Sequence, residues 1–225
     1  MNSYILLWLE GPLQSWGDSS KYGPRRTLSF PTKSAIYGIL LAAMGAKGPQ
    51  EELLATLNQC AQTVVSFSQS SLLIDYHMVG SGYDERDPWQ RLCIPKKQDG
   101  KPAVGGGSKI TYRYYLEDAK FAVIQELQEE LLEPVIKGLK CPVYGPSLGR
   151  KSSVPTEFIY QGTYDTEESA IRGAEQLAEV KNLTSVFRIR EGVFEEGENR
   201  VLSDVPLRFG LHKRYGERRI NIVHG

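Results

Sequence analysis

The sequence predicts an α+β fold, on three observations. Short runs rich in aromatic, β-branched and leucine side chains read as strands, with "SYILLWLEG" at residues 3–11 the first of them. Helical patterns interrupt these runs at two places, residues 30–60 and 127–140. Between Tyr4 and Val143 the order is β-α-β-β, a long insert, then β-α-β. That order matches a ferredoxin-like sandwich with a long hairpin inserted after its third strand. Only short strand-like pieces follow ("FIYQGTY", "SVFRIR", "LRFGLH", "RRINIV"), so a small C-terminal β-rich extension is expected. The expected organisation is a core over 1–145, interrupted at about 80–110, and a glycine-rich loop plus extension over 146–225.

Each element has its own local reason. The first strand is short, apolar on both faces and closed by Glu10, so it reads as buried. "GPLQSWGDSSKYGPRR" then carries three glycines and two prolines, which makes it a long loop. In "FPTKSAIYGILLAAMG", Thr32 is a fitting N-cap, and Ile36, Ile39, Leu40, Ala43 and Met44 share one helical face. "GPQ" breaks that helix, and "EELLATLNQC" resumes one with Glu51 and Glu52 placed well against its dipole. "TVVSFS" and "SLLIDYHMV" read as two strands joined by a tight turn. Residues 80–108, with glycines, lysines and a "GGGS" run, are too long for a default connection. "KITYRYYLEDAKFAVIQE" returns to strand, and "LQEELLEPVIKGLK" gives a short helix strained near Pro134. The stretch 166–200 shows no motif.

Composition narrows the classes of function. At 225 residues with 40% hydrophobic side chains, the chain has material for one substantial core. Its first apolar run is too short for a membrane span and lacks a signal-peptide pattern, so a soluble, cytoplasmic protein with no membrane partner is expected. Cys60, Cys93 and Cys141 are widely spaced, and the histidines are His77, His212 and His224, so neither metal nor cofactor is expected. The net charge is zero, yet the cations cluster. Lys21, Arg25, Arg26 and Lys33 form one group, and Lys96, Lys97, Lys101, Lys109 and Arg113 a second. Lys140, Arg150 and Lys151 form a third, and Arg208, Lys213, Arg214, Arg218 and Arg219 a fourth. Such segregation can build one basic face on a neutral protein, as a phosphate backbone requires.

"YGPSLGRKSSVP", residues 144–155, is one substitution from a nucleotide-binding P-loop. Arg150 stands where the second glycine would permit close approach to phosphates, and Pro155 argues against the helix that must follow. Nucleotide hydrolysis is therefore not expected. What remains is a turn with Gly145 and Gly149, two cations at Arg150 and Lys151, and hydroxyls including Ser152, a set suited to an extended phosphate chain.

"LEGPLQSWG", "FPTKSAIYGILLAAMG", "DYHMVG" and "YGPSLGRKSSVP", in that order and at these spacings, resemble the Cas five family of CRISPR-associated proteins, within the RAMP superfamily and its type I-E Cascade branch. The resemblance implies an RRM-type, ferredoxin-like core, a projecting thumb hairpin at the 80–110 insert and a glycine-rich loop at "YGPSLGRKS". It also implies a non-catalytic subunit that grips the 5′ handle of CRISPR RNA. Its other partners would be the Cascade backbone subunits and the large subunit, with target DNA near the seed end. For the handle's phosphates the candidates are Lys21, Arg25, Arg26, Lys33, Lys109, Arg113, Gly145, Gly149, Arg150, Lys151 and Ser152. Lys33 is a candidate because it opens the first helix, where free N–H groups would reinforce a phosphate contact. For splayed bases the aromatic candidates are Trp16, Tyr22, Trp89, Tyr112 and Tyr144. The alternative is an endoribonuclease that processes precursor CRISPR RNA without metal, as type I-C relatives do, with Tyr37, His77 and Lys109 as its chemical groups.

Overall fold

The computed structural model describes residues 2–17, 23–79, 84, 86–93, 96–97, 99–101 and 109–225. It is a mixed α/β structure whose main sheet is antiparallel throughout. In chain order, β1 (Ser3–Glu10) leads into four two-residue strands, β2 (Leu13–Gln14), β3 (Trp16–Gly17), β4 (Pro24–Arg25) and β5 (Thr27–Leu28). Helices α1 (Lys33–Met44) and α2 (Glu51–Leu57) come next, then β6 (Gln62–Ser66) and β7 (Ser71–Val79). The short α3 (Pro88–Cys93) precedes β8 (Lys109–Glu117), β9 (Lys120–Leu127) and α4 (Glu129–Lys140). The chain then forms β10 (Tyr160–Tyr164), α5 (Glu167–Val180), β11 (Phe187–Glu191), β12 (Glu198–Arg208) and β13 (Arg214–His224).

Seven strands form the main sheet in the order β10-β1-β9-β6-β11-β13-β12. Successive side chains of β1 point to opposite faces. Ile5, Leu7 and Leu9 meet α1, α4 and their neighbours, while Leu6 and Trp8 meet α5. Burial on both faces explains why this strand reads as a continuous apolar run. Helix α1 starts at Thr32, whose hydroxyl accepts from the Ala35 N–H at 3.2 Å, and stops at Gly45 in the left-handed region at φ +75°.

Three elements depart from the sequence reading. β7 does not continue the sheet beside β6; it pairs with β8, from Ser71 opposite Glu117 to Val79 opposite Lys109. The third strand of the main sheet's core is β9, and β7–β8 is a hairpin between β6 and β9. The strand expected to close the core near Val143 is β10, further along, because residues 141–159 run as irregular chain. Val143 and Tyr144 donate to the carbonyls of Ala43 and Ala42 at the end of α1, which ties that segment to a helix rather than a sheet edge. α5 lies in the stretch without a motif; its buried stripe is Ala170, Ala174 and Ala178, too small to stand out as an apolar periodicity. Strands on either side of residue 145 share one sheet, so β11–β13 extend the sheet rather than form a separate layer.

A buried ionic network joins α1 to this extension. Asp204 on β12 accepts from the backbone N–H of Lys33 at 2.8 Å and from Arg218 Nε and Nη2 at 2.7 Å each. Glu191 on β11 accepts from Arg218 Nη1 at 2.7 Å and from Lys33 Nζ at 2.8 Å, and Lys33 Nζ also donates to the Cys60 carbonyl at 2.9 Å. Burial alone would lower the Arg218 pKa, but Asp204 and Glu191 outweigh it and hold the guanidinium above its ordinary value. Asp204→Ala leaves Arg218 buried without its bidentate partner and opens the N-terminus of α1. A loss of about 3–5 kcal/mol in unfolding free energy is expected from a urea titration.

Candidate nucleic-acid interface

Four segments distant in sequence converge on one cleft of about 1100 Å³. The β4 segment contributes Arg25 and Arg26, and α1 contributes Ser34, Ala35, Gly38 and Ala42, with the buried core residue Ile39 also in the lining. The glycine-rich loop brings Gly145, Ser147, Gly149 and Arg150, and the β12–β13 end brings Ser203, Phe209, Lys213 and Tyr215. Small-molecule pockets span about 300–1,000 Å³, so this cleft has room for a segment of polymer. Four of its lining residues are cationic: Arg25, Arg26, Arg150 and Lys213. The acid among them, Asp204, is neutralised by Arg218.

The loop owes its shape to backbone contacts with the chain before β3. Ser15 N donates to the Leu148 carbonyl at 3.0 Å, and Leu148 N donates to the Ser153 carbonyl at 2.7 Å. The buried Leu148 side chain anchors the turn in the main core. Gly149 sits at φ +94°, and a Cβ there would lie 1.8 Å from the Ser15 carbonyl oxygen. Only glycine fits such an approach. Gly145, by contrast, has nothing within 4 Å of where a Cβ would be.

Arg150 joins two cationic segments. Its Nη2 donates to the Arg25 carbonyl at 2.7 Å, and its guanidinium lies over the Tyr115 ring, 4.6 Å from the centroid. Nη1 is buried without a hydrogen-bond partner among the described residues. Burial would raise the Tyr115 phenol, but hydrogen bonds involving Arg150 and Ser152 hold it below its ordinary value.

The family described as "CRISPR-associated protein (Cas_Cas5)" matches residues 4–221. The chain belongs to the Cas five family. A relative from Escherichia coli (strain K12), the CRISPR system Cascade subunit CasD, is 31% identical over 166 residues, 72% of either chain. Among solved structures, a chain of a CRISPR RNA-guided surveillance complex aligns with TM-score 0.73 and 25% identity, covering 98% of this chain and 89% of that one. A crystal structure of a Cas protein aligns with TM-score 0.63 and 25% identity, covering 98% and 94%.

In this Cas five chain, the cleft gathers Arg25, Arg26, Gly145, Gly149 and Arg150 from the sequence-based candidates. Lys151 and Ser152 are exposed beside the loop but outside the cleft lining, and Arg113 lies half-buried on β8 opposite Asp75. Lys33 is withdrawn from any surface role: its side chain is 2% exposed and held by Glu191 and Cys60. The helix N-terminus it opens is likewise engaged by the Asp204 carboxylate. Trp16 is fully buried, with its indole N–H on Gln14 Oε1 at 3.1 Å, so it packs rather than stacks on a base. Tyr112, Tyr144 and Trp89 are exposed; Tyr112 lies edge-on to Tyr76, and Tyr144 faces Lys47. Lys21 and Tyr22 lie outside the described residues, as does the side chain of Lys109.

The alternative catalytic set is not assembled among the described groups. Tyr37 is fully buried, donates to the Leu57 carbonyl at 2.5 Å, and burial pushes its phenol upward. His77 stands on the hairpin, with Nδ1 3.9 Å from Asp75 Oδ2. Lys213 and Tyr215 complete the cleft and were not among the sequence-based candidate binding residues. Lys213 belongs to a visible charge cluster, but no motif links that cluster to the glycine-rich loop. Among the described residues no group of three or more His, Cys, Asp or Glu side chains is placed to hold a metal ion, and no helix is long and apolar enough to cross a membrane.

The two loop glycines separate backbone demand from chain flexibility. Gly149→Ala should cost more than about 1 kcal/mol, since it combines a positive φ with a backbone clash. Gly145→Ala should stay within about 0.5 kcal/mol. Thermal melts of the two variants check this.

Proposed function

We propose that this chain is a non-catalytic Cascade subunit that binds the 5′ handle of a CRISPR RNA and caps the backbone of the assembly, in RNA-guided defence against foreign DNA. The observation that carries this reading is the single cleft in which Arg25, Arg26 and Arg150 meet the glycine-rich loop. A single-stranded handle needs cations for its phosphates and room for splayed bases, and this cleft offers both. Family membership supports the reading from the sequence side, as does the printed name of the Escherichia coli relative.

The architecture fits the same proposal. β1, β6, β9 and β10 lie in the order β10-β1-β9-β6, with α1 and α4 in the two crossovers, which supports reading them as a ferredoxin-like core. The β7–β8 hairpin, with the 80–110 segment at its far end, is the proposed thumb. The core expected over 1–145 is then closed by β10 from beyond the glycine-rich loop, and β11–β13 form the sheet extension within 146–225. The outer face of the thumb carries exposed Leu72, Ile74, Tyr76, Met78, Ile110 and Tyr112, a surface suited to contact with other subunits. Its setting would be the cytoplasm, with backbone subunits, the large subunit and target DNA as neighbours.

The test is a titration of the full chain with labelled repeat RNA in chelator, run at several salt concentrations. Salt-sensitive binding with intact RNA is expected. Arg26→Glu should weaken it on the order of tenfold or more, while Lys151→Glu, outside the cleft lining, should do less. Arg25→Ala with Arg26→Ala should lower the log–log salt slope by about 1.4, at about 0.7 per phosphate contact. Cleavage of the RNA at one position, or binding indifferent to Arg25 and Arg26, would overturn the proposal.

A further inference from the structure

The end of the β12–β13 hairpin lines the same cleft as the glycine-rich loop, and the way it is held decides which of its side chains are available. β12 and β13 shift register between Leu202 and Val205 and again between Pro206 and Arg208. Such irregularities bend a hairpin and re-aim its end. The bent end is then fastened to the α2 region. Phe209 N donates to the Pro49 carbonyl at 3.0 Å, and Asn58 Nδ2 donates to the Pro206 carbonyl at 2.8 Å. Glu51 engages both Arg208, at 3.1 Å, and Arg214, at 3.6 Å.

Extended chain alternates its side chains between two sides. With Arg214 turned to Glu51, Lys213 and Tyr215 fall on the other side, and both line the cleft. Among the described residues Lys213 has no acidic partner, whereas the hairpin's other cations near this end do. Tyr215 is 44% exposed, and its phenol is raised by burial alone, so at neutral pH it stays protonated, with a ring face and an O–H to offer. A flat aromatic two residues from an unpaired cation, on a braced arm above a cationic cleft, is the pairing that single-stranded nucleic acid uses: a base on the ring, a phosphate on the ammonium.

We propose that Lys213 and Tyr215 form a second jaw of the RNA-binding cleft, in which Tyr215 stacks on a handle base and Lys213 holds an adjoining phosphate. This rests on the reading of the cleft as an RNA site, and it adds a C-terminal contact that the glycine-rich loop and the β4 arginines do not supply.

The experiment titrates the full chain with repeat RNAs carrying 2-aminopurine at one handle position at a time, and with unmodified RNA across a salt series. One 2-aminopurine position should be quenched on binding to the wild type and lose that quench in Tyr215→Leu. Affinity in that variant should fall about 5- to 150-fold, the range that base–aromatic stacking spans. Tyr215→Trp should restore both signals, which a purely structural role would not require. Lys213→Ala should lower the salt slope by about 0.7. Leu211→Ala, on the same exposed tip but outside the cleft lining, should leave every readout unchanged. Wild-type binding with unaltered quench, affinity and slope in both Tyr215→Leu and Lys213→Ala overturns the second jaw and leaves the RNA reading standing. Failure of the wild type to bind repeat RNA at all overturns both.

Discussion

Four interlocked charged side chains, Lys33 and Asp204 buried among them, fix the position of helix α1, and nearly everything proposed for this protein is measured from that helix. Lys33, Glu191, Asp204 and Arg218 come from α1, β11, β12 and β13, and their charges sum to zero. A buried network of this kind is weak evidence for net stability, since desolvation opposes the attraction. Its value is positional: each member has one place to go, and a helix displaced from Asp204 strands an ion in the interior. The outward face of α1 forms one side of the cleft, and the last turn anchors Val143 and Tyr144 at the root of the glycine-rich loop. The network therefore fixes one side of the cleft, and Asp204, its member among the lining residues, is already neutralised by Arg218.

The same network shows where sequence reasoning succeeds and where it stops. Thr32 as an N-cap and the buried face of α1 were legible, because capping and periodicity are local signals, whereas the stop falls at Gly45, ahead of the "GPQ" break read from the sequence. Lys33 was legible as a cation at a helix start and was assigned to RNA. The groups that turn its side chain inward are Glu191 and the Cys60 carbonyl, distant in sequence and carrying no distinguishing pattern. Trp16 fails for the same reason. Its loop composition suggests exposure, while Gln14, Thr27 and the core enclose it.

Strand existence was largely readable, and strand partnership was not. β7 and β6 both alternate or run apolar, and nothing within nine or so residues tells which sheet either will join. The exposed hydrophobic face of β7–β8 misleads in the same direction, since Leu72, Ile74 and Met78 look like core positions in sequence. The helix α5 was invisible because alanines make its seam. For the cleft, the motif-bearing arginines and glycines were found, whereas Lys213 and Tyr215 required the fold of the extension to bring them over α1.

Strand order in the extended sheet also bears on when the site comes into being. β13 follows every other element among the described residues, yet it sits inside the sheet, between β11 and β12, and supplies Arg218. During synthesis the earlier strands can pair as they emerge, but β12 has no neighbour until β13 arrives. Until then Asp204 lacks its guanidinium and the β12–β13 end of the cleft has no frame. A nascent chain, however much of its core has condensed, has no completed cleft until β13 has joined the sheet.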